Sequence, residues 1–147
     1  MRVLLQRVTR ARVTVAGEVT GAIDHGLMAL VGVGPDDTHE TATSLAGKSC
    51  DLRVFRDDEG RTNRSLIDTG GSMLVVSQFT LYGDTRKGRR PSFIGAAPPD
   101  LAAELVEVFA AAVESRGVRV GRGRFGAEMS VELVNDGPMT IWLDSDA

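Results

Sequence analysis

The sequence predicts one α/β (α+β) domain spanning residues 1–147, a mostly antiparallel, barrel-like sheet carrying two main helices. Three observations lead there. Apolar residues alternate with polar ones in both halves of the first fifteen positions, with a break near the middle, and further short apolar runs are punctuated by glycine and proline turns. Two segments, around Ala42–Cys50 and Leu101–Val113, switch to helical spacing instead. No repeat, linker or low-complexity stretch divides the chain, and 147 residues at 42% hydrophobic suffice for one core.

The elements follow in order. Met1 to Thr14 reads as a long strand with Val3, Leu5 and Val13 in phase, broken near Val8–Ala11 by a bulge or bend. Ala16-Gly17 turns the chain back through Glu18 to Ile23. Gly26 to Val33 is almost wholly apolar, so both faces of that strand should be covered. Gly34-Pro35 ends it, and Asp37 or Thr38 can cap the helix whose buried stripe is Ala42, Leu45, Ala46 and Cys50. Leu52 to Phe55 returns to strand before an acidic turn, Asp57-Asp58-Glu59-Gly60. That trio lacks the spacing of a calcium loop and reads as a solvated turn.

Thr69–Ser72 is a further turn, leading into Met73–Val76. Pro98-Pro99 opens the second helix, which buries Leu101, Leu105, Val108, Phe109, Ala112 and Val113, keeps Glu104, Glu107 and Glu114 outside, and stops at Gly117. Val118–Phe125 interleaves Arg119, Arg122 and Arg124 with glycines. A closing hairpin is expected from Glu128 to Val134, through Asn135-Asp136-Gly137-Pro138, and back along Met139 to Leu143.

Composition excludes several classes. A single cysteine, Cys50, rules out an internal disulfide framework and a multi-cysteine zinc site. No secretory leader is visible, and no apolar run approaches the roughly 20 residues of a membrane-spanning helix, so a cytoplasmic protein is expected. The net charge of −3 means that an anionic partner must be met by a local basic patch. No metal or cofactor is expected.

The patch and the chemistry converge on one stretch. Ser77-Gln78-Phe79-Thr80-Leu81-Tyr82 follows the buried run Met73–Val76 and precedes Arg86-Lys87-Gly88-Arg89-Arg90. A strand thus delivers hydroxyls and an amide to its tip, with cations beside them, a pattern suited to the end of an anionic polymer. His25 and His39 neighbour no nucleophile motif, and paired carboxylates are missing. A hydrolase built on this chain would work by positioning, donors and water. Gly137-Pro138 is the second unusual feature, because X-Pro is the bond at which cis is cheap, although cis occurs in only about 5% of such bonds.

Together these blocks resemble the D-aminoacyl-tRNA deacylases, formerly D-tyrosyl-tRNA deacylases. The resemblance runs nearly end to end. It covers Leu5–Val8, Gly26-Leu27, Gly32-Val33, Leu52–Phe55, Leu74–Tyr82, Lys87–Phe93, Phe125–Ala127 and Asn135–Ile141. The Ser-Gln-Phe-Thr block at Ser77 and the Gly-Pro-x-Thr block at Gly137 match the family's two signatures. Departures are confined to Thr62, Gly83 and Val106, where the family commonly has methionine, alanine and tyrosine.

The resemblance implies a homodimer whose sites are built across the interface, with Ser77 to Thr80 of one chain as floor and a cis Gly137-Pro138 reaching in from the other. It implies Thr80, Gln78 and Ser77 as catalytic residues, and Phe79, Gly137, Pro138, Met139, Thr140 and Phe125 as substrate-binding ones. The substrate would be D-aminoacyl-tRNA, or mischarged glycyl-tRNA, with the L side chain excluded by backbone at the dipeptide. Arg86, Lys87, Arg89 and Arg90 could then meet acceptor-stem phosphates. Phe125 reads either as a stacking partner of the terminal adenosine or as core. An esterase of free small molecules using Thr80 as nucleophile, and a nucleic-acid binder without hydrolysis, are the competing readings.

Overall fold

A computed structural model describes Met1–Ala147. Its spine is β1 (Arg2–Val15), whose Val3, Leu5, Arg7, Val8, Ala11 and Val13 are buried while the remaining side chains are half-buried or exposed. A tight turn at Ala16-Gly17, both at positive φ (49° and 82°), returns the chain as β2 (Glu18–Ile23). β2 pairs antiparallel with the far half of β1, and β3 (Gly26–Gly32) pairs antiparallel with its near half, Val3 opposite Val31 and Leu5 opposite Ala29. The opposite edge of β1 is covered from end to end by β8 (Ser130–Asp144).

Beyond β3 the sheet turns parallel. β6 (Ser72–Ser77) runs parallel to β3, and β7 (Val120–Arg122) parallel to β6. The expectation of a mostly antiparallel sheet holds around β1, and the parallel half is an addition to it. Its cause is α1 (His39–Asp51), which carries the chain across one face between β3 and β6 as a crossover. The sheet then curls until β2 meets β7, where the Thr20 hydroxyl donates to the Arg122 carbonyl at 3.3 Å. Gly21 permits that approach, because a Cβ there would lie 2.4 Å from the Arg122 carbonyl oxygen. The barrel is thereby nearly closed.

Two apolar layers result. On the helix side, Val3, Leu5, Ala29, Val31, Met73 and Val75 pack against α1 and against α3 (Pro99–Ser115), whose Leu105, Phe109 and Val113 are fully buried. Inside the curl, Val8, Val13, Ile23, Met28, Leu74 and Val76 form a second cluster. β3 and β6 are therefore covered on both faces, which the apolar run from Gly26 predicts for β3. Cys50 is part of the helix-side layer, and burial pushes its thiol up to about 11.

Thr38 caps α1 in a reciprocal box with Thr41 (3.1 and 3.2 Å). Asp37, the other candidate, instead accepts from the Met1 ammonium and the Gly34 amide, each at 2.6 Å.

Three expectations need correction. The strand foreseen over Leu52–Phe55 is reduced to β4 (Phe55–Arg56), paired with β5 (Thr62–Arg64), because the Leu52 amide is still donating to Lys48 at the helix end. A short helix, α2 (Leu66–Thr69), precedes the turn before β6, capped reciprocally by Ser65 and Asp68. The closing hairpin does not form: residues 130–144 are one strand, and Asp136–Met139 bulge out of it. Both halves stay on β1 because β1 itself is long enough to pair with each.

Gly26 opens β3 opposite Ser72, at φ 155°, and an added Cβ would lie 1.8 Å from the Ser72 carbonyl oxygen. Gly26→Ala must therefore part the parallel ladder where it begins. We expect a loss of about 3 kcal/mol in chemical denaturation, the scale of a severe overpacking change. A variant as stable as the parent would contradict this.

Candidate active site

β6 ends at Ser77, and the Gln78 amide makes one last ladder bond to the Val31 carbonyl (2.8 Å). A single 3-10 turn, Phe79–Tyr82, then lifts the chain out of the sheet, with Leu81 donating to the Gln78 carbonyl (3.3 Å) and Gly83 to that of Thr80 (3.0 Å). This turn exposes Phe79 and Thr80, and it directs the Gln78 side-chain amide to donate to the Thr80 hydroxyl oxygen. An oxygen that accepts from an amide is a weaker nucleophile and a better donor of its own proton. Phe79 is 53% exposed and meets Phe93 edge-on, ring centroids 5.2 Å apart.

Neither histidine reaches this turn. His25 lies against Phe55 (5.7 Å) at the other end of β3, and His39 bonds Glu104 (2.9 Å) between α1 and α3. The hydroxyl–amide cluster consequently has no histidine to act as its base. Ser77, Val106, Glu107, Arg122, Gly123 and Phe125 line a cavity of about 110 Å³ between α3 and the sheet. Phe125 stands at its mouth, 43% exposed, and so belongs to the surface rather than to the core. The roomier recesses, such as one of about 490 Å³ around the acidic β4–β5 turn, hold none of the candidate residues. In that turn Asp57 accepts from the amides of Arg61 and Glu59, which hold its carboxyl below the usual range.

Gly137-Pro138 is a cis peptide in the bulge of β8. Thr140 pairs with Gln6 and Asn135 with Val8, so Arg7 alone opposes the four residues Asp136–Met139. That arginine is the residue sequence reasoning passed over. Its side chain is 3% exposed, and its guanidinium donates to the Asp136 carbonyl (3.1 Å), pairs with the Asp136 carboxylate (3.1 Å) and donates to the Val54 carbonyl. Arg56 adds bonds of 3.1 and 3.2 Å to the same carboxylate. The Asn135 side chain closes the base of the bulge on the carbonyls of Arg7 (2.9 Å) and Met139 (3.2 Å). The available signal was an arginine in phase with Val3 and Leu5 on an inward-facing strand position.

Within the chain the two signature segments stay apart. Ser77 is level with Val31 and Val3, whereas the bulge is level with Arg7, four residues along and three strands across. Strand geometry separates them by roughly 19 Å over the sheet surface. Thr140 lies at the bulge end, bonded to Gln6 (3.2 Å), and Met139 turns toward the helix-side core.

The basic run is heterogeneous. Arg86 is held by Asp84 through bonds of 2.7 and 2.9 Å, and this pairing draws the Asp84 carboxyl down to about 2. Because that value lies below the ordinary one, the tether is complete above the ordinary carboxylate range and is lost as pH falls toward 2. Lys87, Arg89 and Arg90 are exposed.

A family model for D-Tyr-tRNA(Tyr) deacylase matches residues 4–144. A protein named D-aminoacyl-tRNA deacylase from Roseiflexus castenholzii is 63% identical over 145 residues, 99% of this chain and 92% of its own. Among solved structures, one named c-Myc DNA Unwinding Element Binding Protein superposes with a TM-score of 0.92 at 39% identity, each chain covered in full. Another, described as a probable eukaryotic D-amino acid tRNA deacylase, gives 0.84 at 22% identity over 97% of each chain and shares the fold. The chain belongs to the D-aminoacyl-tRNA deacylase family.

Removing Arg7 would leave the Asp136 carboxylate to Arg56 alone and the Val54 carbonyl without this donor. Arg7→Met keeps the volume and should cost about 2–3 kcal/mol in denaturation, whereas the half-exposed Arg56→Ala should cost less than about 1 kcal/mol. Equal losses would show that the bulge is not hung on Arg7.

Proposed function

We propose that this protein hydrolyses the ester joining a D-amino acid to the terminal ribose of tRNA, releasing free tRNA and the amino acid. The observation that carries this reading is the near full-length identity with proteins of that name. Glycyl-tRNA charged in error is a second substrate. The enzyme works in the cytoplasm as a chiral proofreader of translation, without metal or cofactor. No helix of the structure is long and apolar enough to cross a membrane.

Its sites form in a homodimer. A 15-residue edge strand with one unpaired side, bearing a half-exposed Trp142, invites a partner. Ser77, Gln78, Phe79 and Thr80 of one chain make the floor, and Gly137-Pro138, with Met139 and Thr140 behind it, enters from the other. That dipeptide's backbone, fixed by Arg7 and Asn135, excludes an L side chain and lets glycine pass. Phe125 stacks on the terminal adenosine, and Lys87, Arg89 and Arg90, with Arg86 less free, meet acceptor-stem phosphates.

In the reaction, water adds to the ester carbonyl. The tetrahedral adduct then expels the ribose 3′-oxygen, which leaves as a hydroxyl with the proton water has lost. Thr80 donates to the substrate, and the ribose 2′-hydroxyl assists the water in place of a side-chain base. The test is hydrolysis of matched D- and L-aminoacyl-tRNA, with turnover on the D form alone expected. Thr80→Ala should retain measurable turnover, while substrate ending in 2′-deoxyadenosine should lose most of it. A dead Thr80→Ala with normal hydrolysis of the deoxy substrate would make threonine the nucleophile, as in a small-molecule esterase. Binding without hydrolysis would favour a nucleic-acid-binding protein instead.

Shared sites also make activity depend on assembly. Dilution should remove activity in step with the dimer seen by sedimentation. A fully active monomer would overturn the interface site.

A further inference from the structure

We propose that Arg124, beside the substrate pocket, is its phosphate-binding residue, taking the phosphodiester that precedes the terminal adenosine. This rests on the reading of the site given above and names a contact that reading lacks.

The backbone around Arg124 is held at both ends. The Gly123 amide donates to the Val75 carbonyl (3.0 Å), anchoring the segment to β6 two residues before Ser77. The Ala127 amide donates to the Arg124 carbonyl (3.2 Å), closing a turn that leaves Arg124 and Phe125 exposed. Gly123 and Phe125, its neighbours on either side, both line the cavity that Ser77 borders.

Charge supplies the second argument. The cavity's carboxylate, Glu107, shares the Arg122 guanidinium with Glu114, at 2.9 and 2.6 Å. One guanidinium between two carboxylates leaves a net negative charge beside the pocket. An anionic chain end would be repelled there unless another cation offset it. Arg124 is the adjacent cation, and no carboxylate pairs with it, whereas Arg122, Arg86 and Arg56 are all engaged. A guanidinium can meet two phosphate oxygens at once, so this contact fixes the position of the terminal nucleotide as well as adding attraction.

The test uses a stable analogue, D-alanine joined by an amide to 3′-amino-3′-deoxyadenosine, prepared with and without a 5′-phosphate. In the parent protein the phosphate should tighten equilibrium binding about tenfold, the scale of one charge-assisted hydrogen-bonded contact. In Arg124→Ala that gain should fall below about twofold, with Arg124→Lys keeping part of it. Arg119→Ala removes the same charge at the opposite end of β7, where the Arg119 carbonyl accepts from Met73, and should keep the full gain. An undiminished phosphate gain in Arg124→Ala, an equal loss in Arg119→Ala, or no gain in the parent overturns the proposal. Hydrolysis of D-aminoacyl-tRNA, followed in parallel, tests the deacylase reading separately: a chain that binds the phosphate through Arg124 but hydrolyses nothing keeps this site and loses that reading.

Discussion

A buried guanidinium governs the functional half of this fold. Arg7 occupies an inward position of β1 among valines and leucines, where an unpaired charge would cost several kcal/mol. The chain answers with one carboxylate and two carbonyls, and together these tie two segments to the spine. Val54 brings in the loop after α1, while Asp136 brings in β8 on both its main chain and its side chain. The four residues facing Arg7 cannot lie flat in the ladder while Asp136 turns back on the guanidinium. They rise from the strand together, and Gly137-Pro138 crowns the rise.

That constraint explains why the closing segment is a bulged strand where its sequence predicts a hairpin. Asn-Asp-Gly-Pro has every mark of a hairpin turn, and by local chemistry it is a turn. What local chemistry omits is the fourteen-residue partner, long enough to pair with both flanks and convert a reversal into a bulge. The parallel half of the sheet was hidden for a related reason. An apolar run reports that both faces are covered and says nothing of the direction of its neighbours, which depends here on the route of α1. Elements set by near neighbours were legible: the Ala16-Gly17 turn, the Thr38 cap, the stripe of α3 and its stop at Gly117.

The site divides along the same line. Ser77 to Thr80 could be read as a polar tip because everything that shapes it is local: a buried strand, a last ladder bond and one 3-10 turn. The surroundings of Gly137-Pro138 could not, since Arg7 and Arg56 come from distant parts of the chain. Similarly, the run from Arg86 to Arg90 looks uniform in sequence, but Asp84, two residues before it, removes its first member from the free surface charge.

Roughly 19 Å of sheet between two exposed signature segments bears on how selectivity could arise in the proposed enzyme. A pocket built by one chain would have to recognise a D side chain through contacts, and glycine would bind it poorly. A wall carried by a second chain works by exclusion, so any group that avoids it is accepted. Exclusion requires stiffness at the wall rather than affinity, and stiffness is what the Arg7, Arg56 and Asn135 bonds provide at the base of the bulge. The floor has the complementary requirement: a neutral hydroxyl already bonded to Gln78 can orient an ester without attacking it, leaving the chemistry to water and the ribose itself. Rigid backbone on one side and unreactive donors on the other suit an enzyme that must spare the correct L-aminoacyl-tRNA, because an activated nucleophile would hydrolyse whatever ester came within reach.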